Sequence, residues 1–105
     1  MEGTNFSHVI HAAADSTNVS NLKYIDRFDQ IVNGTRNILE FVRNNIPNSK
    51  LLFISSGAVY GQMPPNMNQF SEDFHGNIDN AESHNVYSIA KKTAEHLCSL
   101  YHDEY

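Results

Sequence analysis

The apolar positions of this chain form two short continuous runs and two longer stretches with helical spacing. The first run, residues 6–14, reads FSHVIHAAA, and the second, residues 50–56, reads KLLFISS. Continuous apolar runs of this length are typical of strands that are buried on both faces of a parallel sheet. We therefore predict two such strands, the first of them ending in small residues that allow another group to approach the backbone closely.

The segment between the two runs has the periodicity of a long amphipathic helix. From Leu22 to Ile46, apolar residues recur at intervals of three and four. Gly34 interrupts the pattern, and because a glycine inside a helix costs about 1 kcal/mol relative to alanine, we expect close packing against a neighbour there. Pro47 and Asn48 are predicted to end the helix.

A strand, a helix and a second strand in this order form a βαβ unit, whose crossover is expected to be right-handed. Ligands on such sheets bind beyond the carboxyl ends of the strands. This rule places Ala12, Ala13 and Ala14 at the same edge of the sheet as Ser55 and Ser56.

The remainder of the chain consists of a loop and a helix. Residues 57–84 have little periodicity and are rich in Pro, Gly, Asn and Asp, which indicates either a functional loop or a disordered segment. Residues 83–105 return to helical spacing, with Val86, Ala90 and Ala94 on one face. We predict a helix over this last segment.

Within that helix, Tyr87 and Lys91 are i and i+4 neighbours on one face. A positive charge fixed near a phenol favours the phenolate, which allows a tyrosine to act as an acid or a base. The alternative interpretation is an aromatic side chain packed on the core beside a solvated lysine. The spacing of the two residues does not decide between these interpretations.

Composition and charge exclude several classes of function. The 105 residues are 40% hydrophobic and 18% charged, as in a globular protein, and the formal net charge of -5 disfavours binding to nucleic acid. No apolar run approaches the roughly 20 residues that span a bilayer, and the N-terminus carries no signal-peptide pattern. We therefore expect a cytoplasmic protein without a membrane partner.

The residues that commonly bind metals or form disulfides give no site. Cys98 is the single cysteine, which excludes an internal disulfide, and its apolar neighbours indicate a small core residue and not a nucleophile. His75 and His84 lie in the loop without partners at the spacing of metal ligands. We predict no metal site.

Three blocks of sequence together resemble the extended short-chain dehydrogenase/reductase family, in its NAD-dependent nucleotide-sugar epimerase and dehydratase branch. The blocks are VIHAAA at residues 9–14, ISSGAVYG at residues 54–61 and YSIAK at residues 87–91, and they occur in the order that the family shows. The resemblance implies an α/β fold, with residues 1–105 as the central part of an NAD(P)-binding Rossmann domain and no second domain. The fold class is thus part of a Rossmann-like doubly wound parallel sheet.

The resemblance also implies roles for individual residues. Tyr87 would be the acid/base that removes a proton from a sugar hydroxyl, Lys91 would bind the ribose hydroxyls of the cofactor, and Ser56 would hydrogen-bond the same sugar hydroxyl. Ser55, together with the small residues Ala12, Ala13 and Ala14, would line the cofactor channel. NAD is the implied cofactor, although the sequence does not distinguish it from NADP, and a nucleotide-sugar is the implied substrate.

Other positions either match the family or depart from it. His11 matches a histidine that commonly ends this strand, and we prefer a structural role for it over a catalytic one. Gly57 and Ala58 occupy positions where dehydratases commonly carry an Asp-Glu pair, so the sequence favours an epimerase, a reductase or an atypical dehydratase. Ile31 occupies a position where the family often has an asparagine that supports the cofactor site.

The glycine-rich loop that receives the cofactor pyrophosphate in this family has no counterpart in the sequence, nor does the C-terminal substrate domain. We therefore expect the chain to be an internal fragment of a longer enzyme and to be inactive by itself. The alternative is a non-catalytic binding or scaffold protein on the same fold. A homo-oligomer is a further option, because two strands offer little core and leave an exposed sheet edge.

Overall fold

The computed structural model describes residues 6–12, 23–61 and 78–105, together with residues 65–66, 68–69, 71 and 76. Its elements are, in order, strand β1 (His8–His11), helix α1 (Tyr24–Asn45), strand β2 (Lys50–Phe53), a first 3₁₀ helix (Gly57–Tyr60), a second 3₁₀ helix (Ser83–Asn85) and helix α2 (Val86–Glu104). This order is the predicted strand, helix, strand, loop and helix, and it agrees with part of an α/β Rossmann-like fold.

The two strands pair in parallel, as predicted, in a register that joins His8 to Lys50 and His11 to Phe53. One further backbone hydrogen bond, 3.0 Å from the Ile54 nitrogen to the His11 oxygen, continues the pairing beyond β2. Because α1 connects two parallel strands, the carboxyl ends of both lie at one edge of the sheet. Ala12 and Ser55 follow those ends directly in sequence, whereas Ala13 and Ala14 lie outside the described residues.

The prediction that both strands are buried on both faces is wrong for the part of the chain that the structure describes. His11 and Phe53 face the helices, but Ile10 and Leu52 on the opposite face are 66% and 56% exposed. Ile54 continues this face and is 42% exposed. Successive side chains of a strand point to opposite faces, and the described helices cover only one of them.

Helices α1 and α2 pack against each other over a small apolar core. Ile31 of α1 is 2% exposed, and Ala90 and Ala94 of α2 are fully buried. The alanines have no side chain beyond Cβ, so the backbone of α2 can approach α1 closely. The partly buried residues that pack around this centre are Phe28, Val32, Phe53 and Tyr87.

The C-terminal end of α1 agrees with the prediction from the sequence, but the packing at Gly34 does not. The helix ends at Asn45, immediately before Ile46 and the predicted stop at Pro47. At Gly34, in contrast, a Cβ added to the glycine would meet no described atom within 4 Å apart from the adjacent backbone of its own helix. The expectation of close packing at Gly34 is therefore wrong for the described part of the chain.

The C-terminal ends of α1 and α2 are joined by polar and aromatic contacts. The Tyr101 hydroxyl donates a hydrogen bond of 2.6 Å to Glu40, and the Arg43 guanidinium lies 3.7 Å from the ring centroid of Tyr105. The hydrogen bond from Tyr101 lowers the pKa of the Glu40 carboxyl and raises the pKa of the Tyr101 phenol. These contacts hold the far ends of the two helices together.

Candidate active site

Tyr87 and Lys91 lie one turn apart in α2, as the sequence predicts, and the structure brings them together. The Lys91 ammonium is 5.8 Å from the centroid of the Tyr87 ring and 4.9 Å from that of Phe53. Both distances are within the range of a cation–π interaction. Lys91 is only 4% exposed, so the alternative interpretation of a solvated lysine is wrong.

The buried ammonium of Lys91 ties α2 to the carboxyl end of β2. It donates a hydrogen bond of 3.0 Å to the backbone oxygen of Ile54, the residue directly before Ser55 and Ser56. Burial lowers the pKa of Lys91, because the charged form loses hydration. The helix that carries the tyrosine is thereby fixed against the strand end that carries both serines.

The two serines are in different environments. The Ser56 oxygen accepts a hydrogen bond of 3.1 Å from the Ala58 nitrogen and caps the first 3₁₀ helix. This is the contact expected of a hydroxyl that stabilises the turn, and it leaves the Ser56 O–H free to donate to another group. The Ser55 oxygen is buried and has no hydrogen-bond partner among the residues that the structure describes.

A polar cavity of about 430 Å³ lies between the first 3₁₀ helix and the N-terminal end of α2. This volume falls within the range of small-molecule sites. It is lined by Ala58, Gly61, Asp79, Glu82, His84, Asn85 and Ser88, so it adjoins Ser56 and Tyr87 in sequence without including them. A more apolar groove of about 330 Å³, between the start of α1 and the second 3₁₀ helix, also lacks the predicted site residues.

Gly61 closes the first 3₁₀ helix with a backbone conformation that favours glycine. Its φ is 69°, and its nitrogen donates to the oxygen of Ala58 at 3.0 Å. A side chain at this position would be strained, because positive φ is costly for residues with a Cβ. Gly61 therefore fixes the turn at the end of the first 3₁₀ helix, where it also lines the polar cavity.

His11 takes part in a buried hydrogen-bond chain with α1. The Thr35 hydroxyl donates to the Ile31 oxygen at 2.8 Å, so its oxygen accepts from Nε2 of His11 at 3.1 Å. The hydrogen-bond network therefore assigns the ring proton to Nε2. Burial, assisted by the charge of Lys91, lowers the pKa of His11. This anchoring of β1 to α1 supports the predicted structural role.

Lowering the pH from about 7 to 5 should destabilise the chain through His11. Its pKa in the folded state is below the ordinary value of 6.5, so its contribution to stability is present above the unfolded pKa and is lost as the pH falls through the folded pKa. For a single proton the slope is at most about 1.4 kcal/mol per pH unit.

The measurement is urea unfolding at several pH values for the wild-type chain and for His11→Gln, whose amide can donate to Thr35 but does not titrate in this range. The difference between the two pH curves isolates His11, because all other titrating groups are shared. Parallel curves would contradict the prediction.

One residue at the candidate site was missed by the sequence analysis. Arg27 of α1 is only 8% exposed, and its guanidinium lies 4.9 Å from the centroid of the Tyr87 ring. The signal for it was its position four residues before Ile31 and eight before Thr35, on the buried stripe of α1. A charged residue on such a stripe was a candidate for a buried contact.

The remaining predicted residues have the following positions. Ala12 is exposed at the end of β1, consistent with space for a ligand there. Ile31, at the position of the family's asparagine, fills the core instead. Burial and the nearby charge of Glu95 raise the pKa of the Cys98 thiol, which disfavours a nucleophilic thiolate.

The described parts of the chain offer neither a cluster of metal ligands nor a membrane-spanning helix. These residues contain no group of three or more His, Cys, Asp or Glu side chains that could hold a metal ion, and His75 lies outside them. No helix in the same residues is both long and apolar enough to cross a membrane.

The comparison with protein families supports the resemblance of the three sequence blocks. The family model described as "NAD dependent epimerase/dehydratase family" matches residues 1–105. A comparison with curated proteins found no match. The match includes both strands, both helices and the Tyr87–Lys91 pair, and a family of this kind implies use of NAD(P). The chain therefore belongs to the NAD dependent epimerase/dehydratase family.

Proposed function

We propose that this chain supplies the acid/base and ribose-binding residues of an NAD(P)-dependent enzyme that acts on a nucleotide-sugar. The observation that carries the proposal is the Tyr87–Lys91 pair, with Lys91 buried and hydrogen-bonded to Ile54 at the carboxyl end of β2. A buried lysine beside a tyrosine at a sheet edge is difficult to explain by packing alone, since burying an ammonium is costly.

The residues at this edge fit the ribose of a nicotinamide cofactor. An ammonium has three N–H donors, and the bond to Ile54 uses one of them, so Lys91 can donate to a ribose diol. The buried oxygen of Ser55, which has no partner among the described residues, provides a further polar group nearby in sequence. When bound, the nicotinamide would accept a hydride from the substrate and return it.

The chain's own residues would move the proton. Tyr87 takes the proton of a sugar hydroxyl as its carbon is oxidised and returns it in the reverse step, with the Lys91 ammonium 5.8 Å from the centroid of its ring. Ser56 orients the same hydroxyl through its free O–H, since its oxygen already accepts from Ala58. The cavity between the first 3₁₀ helix and α2 would hold part of the substrate.

The reaction is more consistent with an epimerisation or a reduction than with a 4,6-dehydration. Elimination of water requires an acid and a base of its own, and the two positions after Ser56 are Gly57 and Ala58. We propose NAD as the cofactor and a sugar joined to UDP, dTDP, GDP or CDP as the substrate class. The sugar itself would be selected by residues outside this chain.

The pyrophosphate of the cofactor requires a binding loop that these 105 residues do not contain, since they have no Gly-x-x-Gly-x-x-Gly pattern. We propose that another part of a longer polypeptide supplies it, and that residues 1–105 form the central part of the Rossmann domain. Turnover would then need both parts, and the chain alone would be inactive.

The experiment is a titration of NADH fluorescence, performed with the 105-residue chain and with the complete enzyme that the proposal implies. We expect binding by the complete enzyme and at least about 100-fold weaker binding by the chain, since pyrophosphate contacts supply several kcal/mol. A panel of nucleotide-sugars incubated with NAD and analysed by mass spectrometry and NMR identifies the substrate. Absence of binding by the complete enzyme would refute the proposal.

A non-catalytic scaffold on the same fold is the second candidate. Its support is Ile31, which occupies a position often held by a functional asparagine and instead packs in the core against Ala90 and Ala94. Gly57 and Ala58 add to it, because they carry no acid or base. Turnover of any nucleotide-sugar that depends on Tyr87 would rule out the scaffold.

A further inference from the structure

The ring of Phe53, at the carboxyl end of β2, lies against the buried ammonium of Lys91. The Lys91 nitrogen is 4.9 Å from the centroid of this ring, within the range of a cation–π interaction. The ring is held in turn by the core around Ile31, against which it packs. Its centroid also lies 5.8 Å from that of the His11 ring, its partner in the strand register. The ring is thus a fixed surface at the edge of the sheet where the cofactor is proposed to bind.

Two kinds of contact from the described residues hold the Lys91 ammonium. One is the hydrogen bond of 3.0 Å that it donates to the Ile54 oxygen. The other is the face of an aromatic ring, and the Phe53 ring at 4.9 Å is nearer than the Tyr87 ring at 5.8 Å. A cation over an aromatic face is attracted by the electrons of the ring, and the attraction is larger when the site is desolvated. Lys91 is only 4% exposed, so the stronger case applies.

An aromatic ring suits a lysine that must also bind a ligand. The lysine stem is long and flexible, so holding its ammonium in one place costs conformational entropy. A carboxylate could hold the ammonium, but it would also neutralise its charge. The Phe53 ring attracts the ammonium and leaves its charge available to the oxygens of a ribose.

We propose that Phe53 is a positioning residue for Lys91, whose ring holds the ammonium at the carboxyl end of β2, where it binds a ribose of the cofactor. The inference rests on the proposed function, which gives Lys91 its ribose. Because Lys91 lies one helical turn from Tyr87, the residue that moves the proton, the ribose concerned is the one attached to the nicotinamide. Phe53 thus acts through Lys91 and not on the substrate.

The contact itself is tested by NMR of the 105-residue chain with isotope-labelled lysine. Protons that lie over the face of an aromatic ring resonate upfield, so we expect the ε-methylene protons of Lys91 to lie upfield of those of the other lysines. The signal is assigned by its loss in Lys91→Arg. Phe53→Leu should remove most of the shift, and Phe28→Leu should keep it. An ordinary shift for Lys91 in the wild-type chain would overturn the proposal.

The role of the contact is tested by cofactor affinity in the complete enzyme that the proposed function implies. NADH fluorescence is titrated at about pH 8, where His11 is neutral because its pKa lies below 6.5. We expect Phe53→Leu to raise the Kd for NADH by about three- to tenfold, the fold-change that a lost cation–π interaction implies. Phe53→Tyr keeps the aromatic face and should bind NADH within about twofold of the wild type.

Two controls separate positioning from a general loss of packing. ADP lacks the nicotinamide ribose, so its affinity, measured by competition with NADH, should be the same in Phe53→Leu and the wild type. Phe28→Leu makes the same change in another partly buried ring of the same core cluster. It should lower the midpoint of urea unfolding about as much as Phe53→Leu does, while its affinity for NADH stays that of the wild type.

Equal affinity of Phe53→Leu and the wild type for NADH would overturn the proposal. A parallel loss of affinity for NADH and ADP would do the same, because it would indicate a structural role. Phe53→Met replaces the leucine variant if the latter does not fold, as judged by circular dichroism. Absence of NADH binding by the wild-type complete enzyme would instead refute the proposed function, so the two failures are distinguishable.

Discussion

Replacing Tyr87 with phenylalanine should lower turnover of the nucleotide-sugar by about 10²- to 10⁴-fold, the usual contribution of a general acid/base. The substitution removes only the hydroxyl, so the ring keeps its place in the core cluster and its contact with Arg27. The complete enzyme should therefore bind NADH as before while the proton transfer is lost. Steady-state kinetics and the fluorescence titration measure the two properties separately.

Tyr101→Phe is the matched control, because it removes a hydroxyl from the same helix at the end away from the site. It breaks the hydrogen bond to Glu40 and should reduce stability slightly, but turnover should remain that of the wild type. Retained activity in Tyr87→Phe would exclude the tyrosine as the acid/base. Parallel loss of activity and cofactor binding would instead indicate a structural role for its hydroxyl.

Replacing Ile31 with alanine should destabilise the chain by about 2–5 kcal/mol. Ile31 is 2% exposed and packs against Ala90 and Ala94, which have no atoms beyond Cβ with which to fill the space. A small domain has only about 5–15 kcal/mol of stability in total, so this single change removes a large share of it. Urea unfolding followed by circular dichroism gives the free energy of unfolding.

Two further variants on the same helix give the scale of the effect. Ile31→Val removes one methyl group and should cost about 0.5–1.5 kcal/mol. Ile25→Ala makes the same change as Ile31→Ala at a position that is 64% exposed, and it should alter stability by no more than about 0.5 kcal/mol. Equal losses in Ile25→Ala and Ile31→Ala would mean that the core does not centre on Ile31.

The elements of the fold were predictable from the sequence because their signals are local. The spacing of apolar residues predicted the C-terminal end of α1 to within one residue, and Pro47 marked its stop. The parallel pairing of the strands was predicted from their continuous apolar runs and from the order strand, helix, strand. The helix signals depend on side chains that lie close together along the chain, whereas the strand pairing was inferred from the order of the elements.

The coverage of the sheet was not predictable, because an apolar run shows only that its side chains are suited to burial. Ile10 and Leu52 have this character, yet no described element covers them. Gly34 was misinterpreted for a similar reason, since a glycine is compatible with close packing without requiring it. What lies against a residue is a property of the tertiary arrangement.

The sequence predicted that Tyr87 and Lys91 share one face of a helix, but not the contacts that these residues make. Their spacing placed Tyr87 and Lys91 on one face, the three sequence blocks singled them out as site residues, and the structure places them together. The stacking of Arg27 on Tyr87 and the bond from Lys91 to Ile54 join residues far apart in sequence. Such contacts depend on how α1, α2 and β2 are placed relative to one another. A short sequence motif does not specify this placement.

The bond from Lys91 to Ile54 affects how mutational scans of this protein should be interpreted. Because the same ammonium anchors α2 to β2, replacing Lys91 perturbs the docking of the helix as well as any ribose contact. In a selection for activity, depletion of a Lys91 variant would thus reflect both a lower amount of folded protein and a loss of catalytic function. Tyr87→Phe, which keeps the ring in the core cluster, is the variant whose depletion can be assigned to chemistry, whereas loss of the Ser56 hydroxyl also removes the cap of the first 3₁₀ helix.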